Sequence, residues 1–243
     1  ENFVPELTET RVLITAGGDG TILRTVHVMA ELEVPIVGIN MGRVGFMSEL
    51  SVDEAYTRLK NYLEGELRIE ERMMLRACVG RPLTKHPRVI YHALNDVVIG
   101  QSGATRLLDI TARVDNTSLT TYRADAVIVS TATGSTGYAF SAGGPILYPE
   151  AKDMLVQPVA PHTGLREGLI FPQSSVIELE VLDGVRPTVS VDGFQETELQ
   201  PGEKVTVQCA PNVTKFFRGQ DPVSFYSRLT RRLGLVLQPP SAT

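Results

Sequence analysis

The chain of 243 residues is 42% hydrophobic and 21% charged, and its 28 acidic and 23 basic side chains give a formal net charge of −5. This is a globular composition, and the length allows a core that needs no disulfide or structural metal. With only two cysteines, Cys78 and Cys209, a disulfide scaffold and a thiolate zinc site are both excluded. The net acidic charge and the absence of a Lys/Arg block argue against nucleic-acid binding.

No apolar run approaches the roughly 18 residues that a membrane helix needs, and the N-terminus lacks a basic segment followed by an apolar one. We therefore expect a soluble, cytoplasmic protein that binds neither a membrane nor nucleic acid. Because the first residue is Glu1 and not Met, an earlier start of the natural chain stays open.

The first predicted elements are a strand, a helix and a second strand. Residues 11–16 and 36–39 form short apolar runs with β-branched residues. Between them, from Thr21 to about Glu31, apolar residues recur at spacings of three and four, which predicts an amphipathic helix. Three such elements within about 30 residues predict a βαβ unit with parallel strands.

A second helix is predicted from Val52 to Glu64, with Ser51 and Glu54 forming a capping box and Gly65 ending it. After Leu67 the sequence changes to short apolar runs separated by turn residues, which is typical of an all-β region. The predicted strands cover residues 73–79, 88–99, 107–114, 126–130, 176–182, 188–191 and 204–209.

A last helix, from Phe225 to Leu235, is predicted to fold back onto the first domain. We therefore expect an α/β domain at residues 1–68 with 225–243, and a β domain at residues 69–224.

The first candidate loop is Gly17-Gly18-Asp19-Gly20-Thr21, between the predicted strand and helix. Glycines let a ligand approach the backbone, and the free amide groups of a helical first turn attract an anion. A carboxylate repels phosphate, so Asp19 indicates Mg²⁺ binding or deprotonation of a hydroxyl nucleophile. The alternative is a helix-capping aspartate in a glycine turn.

The second loop, Asn40 to Phe46, follows the next parallel strand, so it is expected at the carboxyl edge of the sheet, where open α/β sheets bind ligands. Arg43 is suited to steady a phosphate there. Phe46 is suited to bound an adenine pocket, and the alternative is a core phenylalanine.

The third loop, residues 130–145, is rich in glycine and in hydroxyl side chains and follows the apolar strand of residues 126–129. Such a loop offers many neutral donors and acceptors to ribose hydroxyls and phosphate oxygens. A flexible linker is the alternative, which Tyr138 and Phe140 inside the run disfavour.

Asn95 and Asp96 stand within the apolar run 93–99, where polar side chains are costly unless they are hydrogen-bonded. A ribose would satisfy them, and the alternative is a turn at a strand end. Asp125 and Asp192 are open to the same two interpretations, since Asp192-Gly193 is also a common hairpin turn.

Several other chemistries lack their motifs. The sequence has no Walker loop, no Gly-x-Gly-x-x-Gly, no Gly-x-Ser-x-Gly and no His-Glu-x-x-His, and its four histidines have no metal-ligand spacing.

In their order and spacing, Gly-Gly-Asp-Gly-Thr, Asn-x-Gly-Arg-x-Gly-Phe, Asn-Asp and the 131–145 loop resemble the NAD kinase family, from about Val12 through the last helix. The resemblance implies transfer of the γ-phosphoryl group of ATP, or of polyphosphate in some members, to the adenosine 2′-hydroxyl of NAD. It also implies a phosphofructokinase-like α/β domain and a C-terminal β domain, in a homodimer or homotetramer.

The resemblance also assigns roles to residues. Asp19 would be the general base, and Gly17, Gly18, Gly20, Thr21 and Arg43 would bind ATP phosphates. The residues expected to bind NAD are Asp19, Gly20, Phe46, Asn95, Asp96, Arg123, Asp125, Thr133, Thr136, Gly137, Tyr138 and Ser141. We expect no side-chain metal cluster: Mg²⁺ or another divalent cation would bind through nucleotide phosphates, with Asp19 as an open ligand.

Three features depart from the family pattern. Only about sixteen residues precede the first loop, where members have a further strand and helix, so an initial βα unit is missing from this chain or the sheet is smaller. Ala132 replaces a common proline and Gly137 a common alanine, which predicts altered loop stiffness without a change of reaction.

Two other functions are weighed against this resemblance. Diacylglycerol and sphingosine kinases share a Gly-Gly-Asp-Gly loop and an α/β domain followed by a β domain, but they match the second and third loops less well. A regulatory module that holds NADP without turnover would gain nothing from a negative charge at Asp19.

Overall fold

The computed structural model describes residues 10–29, 33–42, 45–65, 67–80, 86–101, 107–183, 186–200, 202–219 and 224–232. The chain divides into two compact units: Glu1–Glu70 with Lys215–Thr243, here the α/β unit, and Glu71–Thr214, here the β unit. Each has its own buried apolar cluster. The domain boundaries expected from the sequence stay a prediction.

The α/β unit begins with the predicted βαβ arrangement. β1 (Leu13–Gly17) and β2 (Ile36–Asn40) pair in parallel, and α1 (Asp19–Val28) connects them. The short β3 (Leu50–Ser51) also pairs in parallel with β2. The loops after β1 and β2 therefore leave the same edge of the sheet, as expected.

The helix α1 starts two residues before the predicted Thr21. Gly18 precedes it with extended backbone angles, φ −96° and ψ −174°, so the chain turns directly from strand into helix. Ile22, Leu23 and Val26 form its buried face. The predicted end near Glu31 falls on residues 30–32, outside the described residues.

The helix α2 (Val52–Glu64) is confirmed with its cap. The Ser51 hydroxyl accepts the Glu54 N–H at 3.3 Å, and Glu54 Oε2 accepts the Ser51 N–H at 2.8 Å, which is the reciprocal pairing of a capping box. The last helix, α4 (Ser224–Arg232), is also confirmed in the part described. Its Phe225 ring lies 6.5 Å from the Phe46 ring, so this helix does return to the α/β unit.

The β unit confirms the all-β prediction. Its strands are β4 (Arg68–Gly80), β5 (Val89–Ala93), β6 (Asp96–Gln101), β7 (Leu108–Val114), β8 (Thr117–Ala124), β9 (Ala126–Ser130), β10 (Asp153–Val159), β11 (Leu169–Pro172), β12 (Ile177–Asp183), β13 (Pro187–Val191), β14 (Gln195–Glu198) and β15 (Lys204–Arg218). The strands β4 and β15 each continue into the α/β unit.

Two sets of antiparallel strands build this unit. One sheet runs in the order β11-β10-β9-β6-β13-β14, and the other set pairs β15 with β12, β12 with β7 and β7 with β8. Their inward side chains form one buried apolar cluster that includes Val129 of the first sheet and Leu179 of the second. A sandwich of this kind gives its loops a rigid base.

The strand β9 is buried on both faces, and this positions the third loop. Val127 and Val129 belong to the main core, whereas Ile128 joins a second cluster with Ala132, Ala139 and Leu147. The third loop therefore packs its own apolar residues on the outer face of the sheet, and it is not a flexible linker.

Some strand predictions were wrong. The predicted strand 88–99 breaks at Leu94-Asn95, because the backbone N–H groups there bond to the Asp192 carboxylate in place of a strand. The strands β8, β10, β11 and β14 were not predicted, since their sequences alternate weakly or, in β10 and β11, contain proline. The last strand, β15, runs on to Arg218, well beyond the predicted residue 209.

The Ser51 cap predicts a measurable stability effect. Ser51→Ala removes the hydroxyl that accepts the Glu54 N–H, so we expect the free energy of unfolding to fall by about 1 kcal/mol. Urea denaturation measures this change, with Ser118→Ala on the exposed side of β8 as a matched control. Equal stability of the two variants would contradict the prediction.

Candidate active site

The first loop joins β1 to α1 with no room for a side chain at Gly17, whereas Gly18 and Gly20 have open space around them. A Cβ on Gly17 would overlap the Thr21 hydroxyl, and the Thr21 N–H bonds to the Gly18 carbonyl oxygen at 2.9 Å. Gly18, Gly20 and Thr21 are exposed, and Gly17 is half-buried. The first turn of α1 therefore presents backbone to solvent, the arrangement that an anion needs at a helix N-terminus.

Asp19 does not cap its own helix, so the capping alternative is wrong. Its Oδ2 accepts the Phe46 N–H at 2.9 Å and its Oδ1 accepts the Met47 N–H at 3.2 Å. A Cβ on Gly45 would overlap Asp19 Oδ1, so this position must be glycine for the carboxylate to lie where it does. The first two predicted loops thus meet through one carboxylate.

Buried ion pairs of Arg218 hold the second loop at Met47. The Arg218 guanidinium donates to the Met47 carbonyl oxygen at 2.9 Å and forms ion pairs with Glu49 at 3.2 Å and Glu70 at 2.9 Å. The Arg218 and Glu49 side chains are 1% and 0% exposed. Buried charges are tolerated only when they are paired, so this network holds the carbonyl side of Met47, the residue whose own N–H bonds to Asp19.

Tyr62 extends the same network. Its hydroxyl donates to Glu49 Oε1 at 2.8 Å, and the Gly219 N–H donates to the same oxygen at 2.9 Å. Burial, with the negative charge of Glu49, raises the pKa of Tyr62 to about 12. Tyr62 therefore stays protonated and remains a donor.

The other predicted residues of the second loop have different outcomes. Phe46 is half-buried, and its ring approaches Phe225, so it packs within the α/β unit. Arg43 lies outside the described residues.

In the β unit, Asn95 lies in the turn between β5 and β6, and Asp96 is the first residue of β6. The Asn95 carbonyl oxygen accepts the Thr131 N–H at 2.8 Å, so the turn is tied to the start of the third loop. A Cβ on Gly134 would overlap that carbonyl oxygen. The side-chain oxygen of Asn95 is buried and has no hydrogen-bond partner among the described residues. A buried acceptor left in this state is suited to a ligand donor.

Asp96 is an unusual carboxyl. It is 6% exposed, and burial, with a smaller contribution from the negative charge of Asp192, raises the pKa of its carboxyl to about 7. Perturbed carboxyls of this kind concentrate at functional sites.

The third loop uses most of its hydroxyls internally. Thr131 Oγ1 donates to the Leu94 carbonyl oxygen at 2.6 Å, and Ser135 Oγ donates to the Ala132 carbonyl oxygen at 2.6 Å. Thr136 Oγ1 donates to the Thr133 carbonyl oxygen at 3.1 Å. These hydroxyls therefore hold the loop in shape, and the expectation that the loop binds ribose and phosphate oxygens stays a prediction.

Some third-loop groups do face solvent. Tyr138 and Phe140 are 45% and 39% exposed, on the short helix α3 (Tyr138–Ser141), and Ser141 is exposed beside them. Gly137 is half-buried, and a Cβ there would lie 3.2 Å from the Gly134 carbonyl oxygen, which is a tight approach. Exposed aromatic rings on a rigid loop are suited to stack on a base.

Arg123 and Asp125 lie at the junction of β8 and β9, and both are exposed. The Arg123 backbone is fixed by two bonds, from its N–H to the Thr163 carbonyl oxygen at 3.2 Å and from the His162 N–H to its own carbonyl oxygen at 2.7 Å. The junction is thus held by backbone, and the two charged side chains remain accessible.

Three residues that hold the predicted loops within their own units were not among the predicted site residues. Arg218 and Arg72 are buried arginines, and Arg72 donates to the Thr133 hydroxyl at 3.0 Å. Asp192 was weighed only as a ribose ligand or a hairpin turn. Its Asp-Gly pair was the available signal, whereas nothing in the sequence marks the two arginines as buried.

The described residues contain neither a membrane-spanning helix nor a cluster of metal ligands. No helix there is both long and apolar enough to cross a membrane. No group of three His, Cys, Asp or Glu side chains in the same ranges is placed to hold a metal ion.

Comparisons with known proteins cover both units. A family model for the ATP-NAD kinase N-terminal domain matches residues 6–67, and one for the ATP-NAD kinase C-terminal domain matches residues 94–219. An NAD kinase of Dehalococcoides mccartyi is 36% identical over 96% of this chain and 82% of its own length. An NAD kinase of Moorella thermoacetica is 39% identical over 91% of this chain and 70% of its own length.

Solved structures agree. A yeast NADH kinase in complex with NADH superposes with a TM-score of 0.86 at 26% identity, covering 96% of this chain and 69% of that chain. An Archaeoglobus fulgidus NAD kinase in complex with ATP gives a TM-score of 0.77 at 28% identity, covering 90% and 82%. The fold and its loops are those of a small-molecule kinase. More specifically, the chain belongs to the NAD kinase family, as the resemblance implied.

The contact between Asp19 and Gly45 predicts a sensitive position. Gly45→Ala places a methyl group on Asp19 Oδ1, so the carboxylate must leave the Phe46 and Met47 amides. We expect a loss of roughly 1–3 kcal/mol in the free energy of unfolding, measured by urea denaturation. Gly42→Ala, in the same loop with open space around its Cβ, is the matched control and should be neutral. A neutral Gly45→Ala would contradict the observed carboxylate position.

Asp96 predicts a pH-dependent contribution to stability. Its pKa is about 7 in the folded protein and about 3.9 in an unfolded chain, so between these values the folded form keeps a proton that the unfolded form releases. Stability from Asp96 is therefore present at low pH and is lost as the pH rises to about 7. The cost is about 1.4 kcal/mol for each unit between the two pKa values.

Asp96→Asn tests this, because the amide cannot ionise. The stability of the wild type relative to the variant should fall between about pH 4 and pH 7 and then level off, as measured by urea denaturation across that range. A difference that is independent of pH would show that the carboxyl titrates normally.

Proposed function

We propose that this protein is an NAD kinase that transfers the γ-phosphoryl group of ATP to the adenosine 2′-hydroxyl of NAD, giving NADP and ADP. The observation that carries the proposal is the Asp19 carboxylate, which two backbone N–H groups hold at the N-terminus of α1. Family membership supports the same reaction.

Asp19 is proposed as the general base. The 2′-hydroxyl gives its proton to the carboxylate, its oxygen forms the new bond to the γ-phosphorus, and the bond from that phosphorus to the bridging oxygen of ADP breaks. Most catalysis of phosphoryl transfer comes from positioning and from stabilising charge on the phosphoryl oxygens. The backbone N–H groups of Phe46 and Met47 hold the Asp19 carboxylate in one orientation, and a carboxylate is an acceptor that suits a substrate hydroxyl.

Backbone amides of the first loop are proposed to bind the ATP phosphates. Gly17 and Gly18 precede α1, Gly20 and Thr21 lie in its first turn, and most of this segment is exposed, although the Thr21 N–H itself bonds to the Gly18 carbonyl oxygen. Glycines here bring backbone donors close to an anion, as at other phosphate-binding helix N-termini. Arg43 would add a charged donor to the same phosphates.

The residues of the β unit are proposed to bind NAD. The unpartnered Asn95 oxygen and the Asp96 carboxyl are suited to ribose hydroxyls, and the exposed Tyr138 ring to stacking on a base. The remaining proposed contacts are Phe46, Arg123, Asp125, Thr133, Thr136, Gly137 and Ser141.

A divalent cation, Mg²⁺ or a similar ion, is proposed to arrive with the nucleotide. Asp19 is the acidic side chain in the first turn of α1, and a single carboxylate fits a cation that is held mainly by phosphate oxygens. The cation would neutralise charge on the phosphates, while Asp19 remains hydrogen-bonded to the second loop.

ATP is the proposed donor, since the archaeal NAD kinase of similar fold was solved with ATP. The yeast neighbour binds NADH, so parallel assays with NAD and NADH, and with ATP and polyphosphate, define both substrates. The cytoplasmic location and the homodimer or homotetramer stay predictions. Neither the lipid kinase nor the non-catalytic module is supported by the comparisons.

Asp19→Asn tests the proposed base. We expect kcat to fall roughly 10²- to 10⁴-fold, because the amide cannot take the hydroxyl proton, whereas NAD binding persists. NADP formation measures kcat, and calorimetry measures the Kd for NAD. Wild-type turnover in the variant would remove Asp19 from this role.

The amide also disturbs the second loop, since its NH₂ group faces a backbone donor. Gly45→Ala separates loss of the base from disturbance of the loop. This substitution moves the Asp19 carboxylate but leaves it in the protein. A base role predicts that Gly45→Ala retains more turnover than Asp19→Asn. Equal losses would indicate loop geometry alone.

A further inference from the structure

The turn Leu94–Asp96 has an unusual number of bonds from one side chain. Asp192 Oδ2 accepts the Leu94 N–H at 2.9 Å, and Asp192 Oδ1 accepts the N–H groups of Asn95 at 2.8 Å and Asp96 at 3.0 Å. One carboxylate thus takes three consecutive backbone donors.

The carbonyl groups of the turn are equally fixed. Thr131 bonds the Leu94 oxygen through its hydroxyl at 2.6 Å and the Asn95 oxygen through its N–H at 2.8 Å, and the Asp192 N–H bonds the Asp96 oxygen at 3.0 Å. Every backbone donor and acceptor of these three residues is therefore occupied. The side chains of Asn95 and Asp96 are what remains for a ligand.

Burying the Asp192 carboxylate costs free energy that a hairpin turn alone does not require. Asp192 and Gly193 form the turn between β13 and β14, with φ of +49° and +76°, and aspartate and glycine both suit that conformation in solvent. Here the aspartate is only 7% exposed and stands beside a second buried carboxyl, Asp96. Two buried acids in proximity are unfavourable, and such costs concentrate at functional sites.

We propose that Asp192 is a positioning residue for dinucleotide binding, which acts through the Asn95–Asp96 turn without touching the ligand. The inference rests on the proposed function in one respect, that Asn95 and Asp96 bind NAD. An asparagine at this position could accept the N–H groups with one oxygen only, so the charge and both oxygens matter.

The negative charge of Asp192 affects the pH dependence of NAD affinity through Asp96. A residue that only stabilises the fold would leave that pH dependence unchanged. Burial is the larger cause of the raised pKa of Asp96, and the negative charge of Asp192 adds to it. The paired strand β9 presents Ser130 opposite Asp96 and carries no titratable side chain. Nearby elements also carry Arg72 of β4, which donates to Thr133, Tyr91 and His92 of β5, and Glu196 and Glu198 of β14.

The experiment compares Asp192→Asn with Asp115→Asn. Asp115 occupies the turn between β7 and β8 with φ of +51°, and its carboxylate accepts the Val176 N–H at 2.8 Å and the Ser175 hydroxyl at 3.1 Å. It is therefore a turn aspartate with the same kind of backbone bond, in the same unit, and no assigned role in binding.

We expect Asp192→Asn to raise the Kd for NAD at least about 10-fold, while kcat at saturating NAD changes less than about 3-fold. A carboxylate accepts more hydroxyl donors than a carboxylic acid, so wild-type affinity should rise with pH through about 7. In Asp192→Asn the midpoint of that rise should move to lower pH, because the neighbouring negative charge is gone. Asp115→Asn should keep the wild-type Kd and midpoint.

If Asp192→Asn lowers stability but matches Asp115→Asn in Kd and midpoint, Asp192 is merely structural and the proposal is overturned. If the wild type itself does not bind NAD, the proposed function fails instead. If Asp192→Asn does not fold, carboxyl ¹³C NMR of the wild type tests the proposal instead. Adding NAD should shift the Asp96 carboxyl signal and leave that of Asp192 nearly unchanged. A large shift at Asp192 on binding would mean direct contact and would also overturn the proposal.

Discussion

The α/β unit depends on a carboxylate that is held by the backbone of a neighbouring loop. Asp19 sits at the start of α1, and its oxygens bond to the amides of Phe46 and Met47 after β2. The parallel pairing of β1 with β2 brings these loops to one edge of the sheet, and the buried Arg218 holds the carbonyl side of Met47. The position of the Asp19 carboxylate is therefore a property of the sheet and its core, not of one flexible side chain.

The β unit uses the same device. Asp192, at a hairpin turn, accepts the backbone donors of the Asn95–Asp96 turn, and Thr131 secures its carbonyl groups. In both units a charged oxygen replaces the strand pairing or helix cap that the backbone would otherwise make. Charge-assisted bonds to backbone amides are strong when they are shielded from water, so both turns are rigid before any ligand arrives.

Local patterns in the sequence predicted the local structure. The Ser51 capping box, the βαβ unit and the apolar strand β9 could be inferred because their determinants are neighbours in the chain. The partner of Asp19 lies 27 residues away, and that of Asn95 lies 97 residues away, so neither bond has a signature in one sequence. The break at Leu94 was missed for the same reason, since Asp192 competes with strand pairing only once the fold has formed.

Gly134 carries a consequence for redesign of acceptor preference. A Cβ there would overlap the Asn95 carbonyl oxygen, so the glycine-rich loop and the Asn95 turn are in close contact and neither can change shape without the other. Diversity introduced at buried loop positions would disturb both at once. The exposed rings of Tyr138 and Phe140, by contrast, lie on the short helix α3, so substitutions there would change the surface of the loop while its buried contacts stay intact.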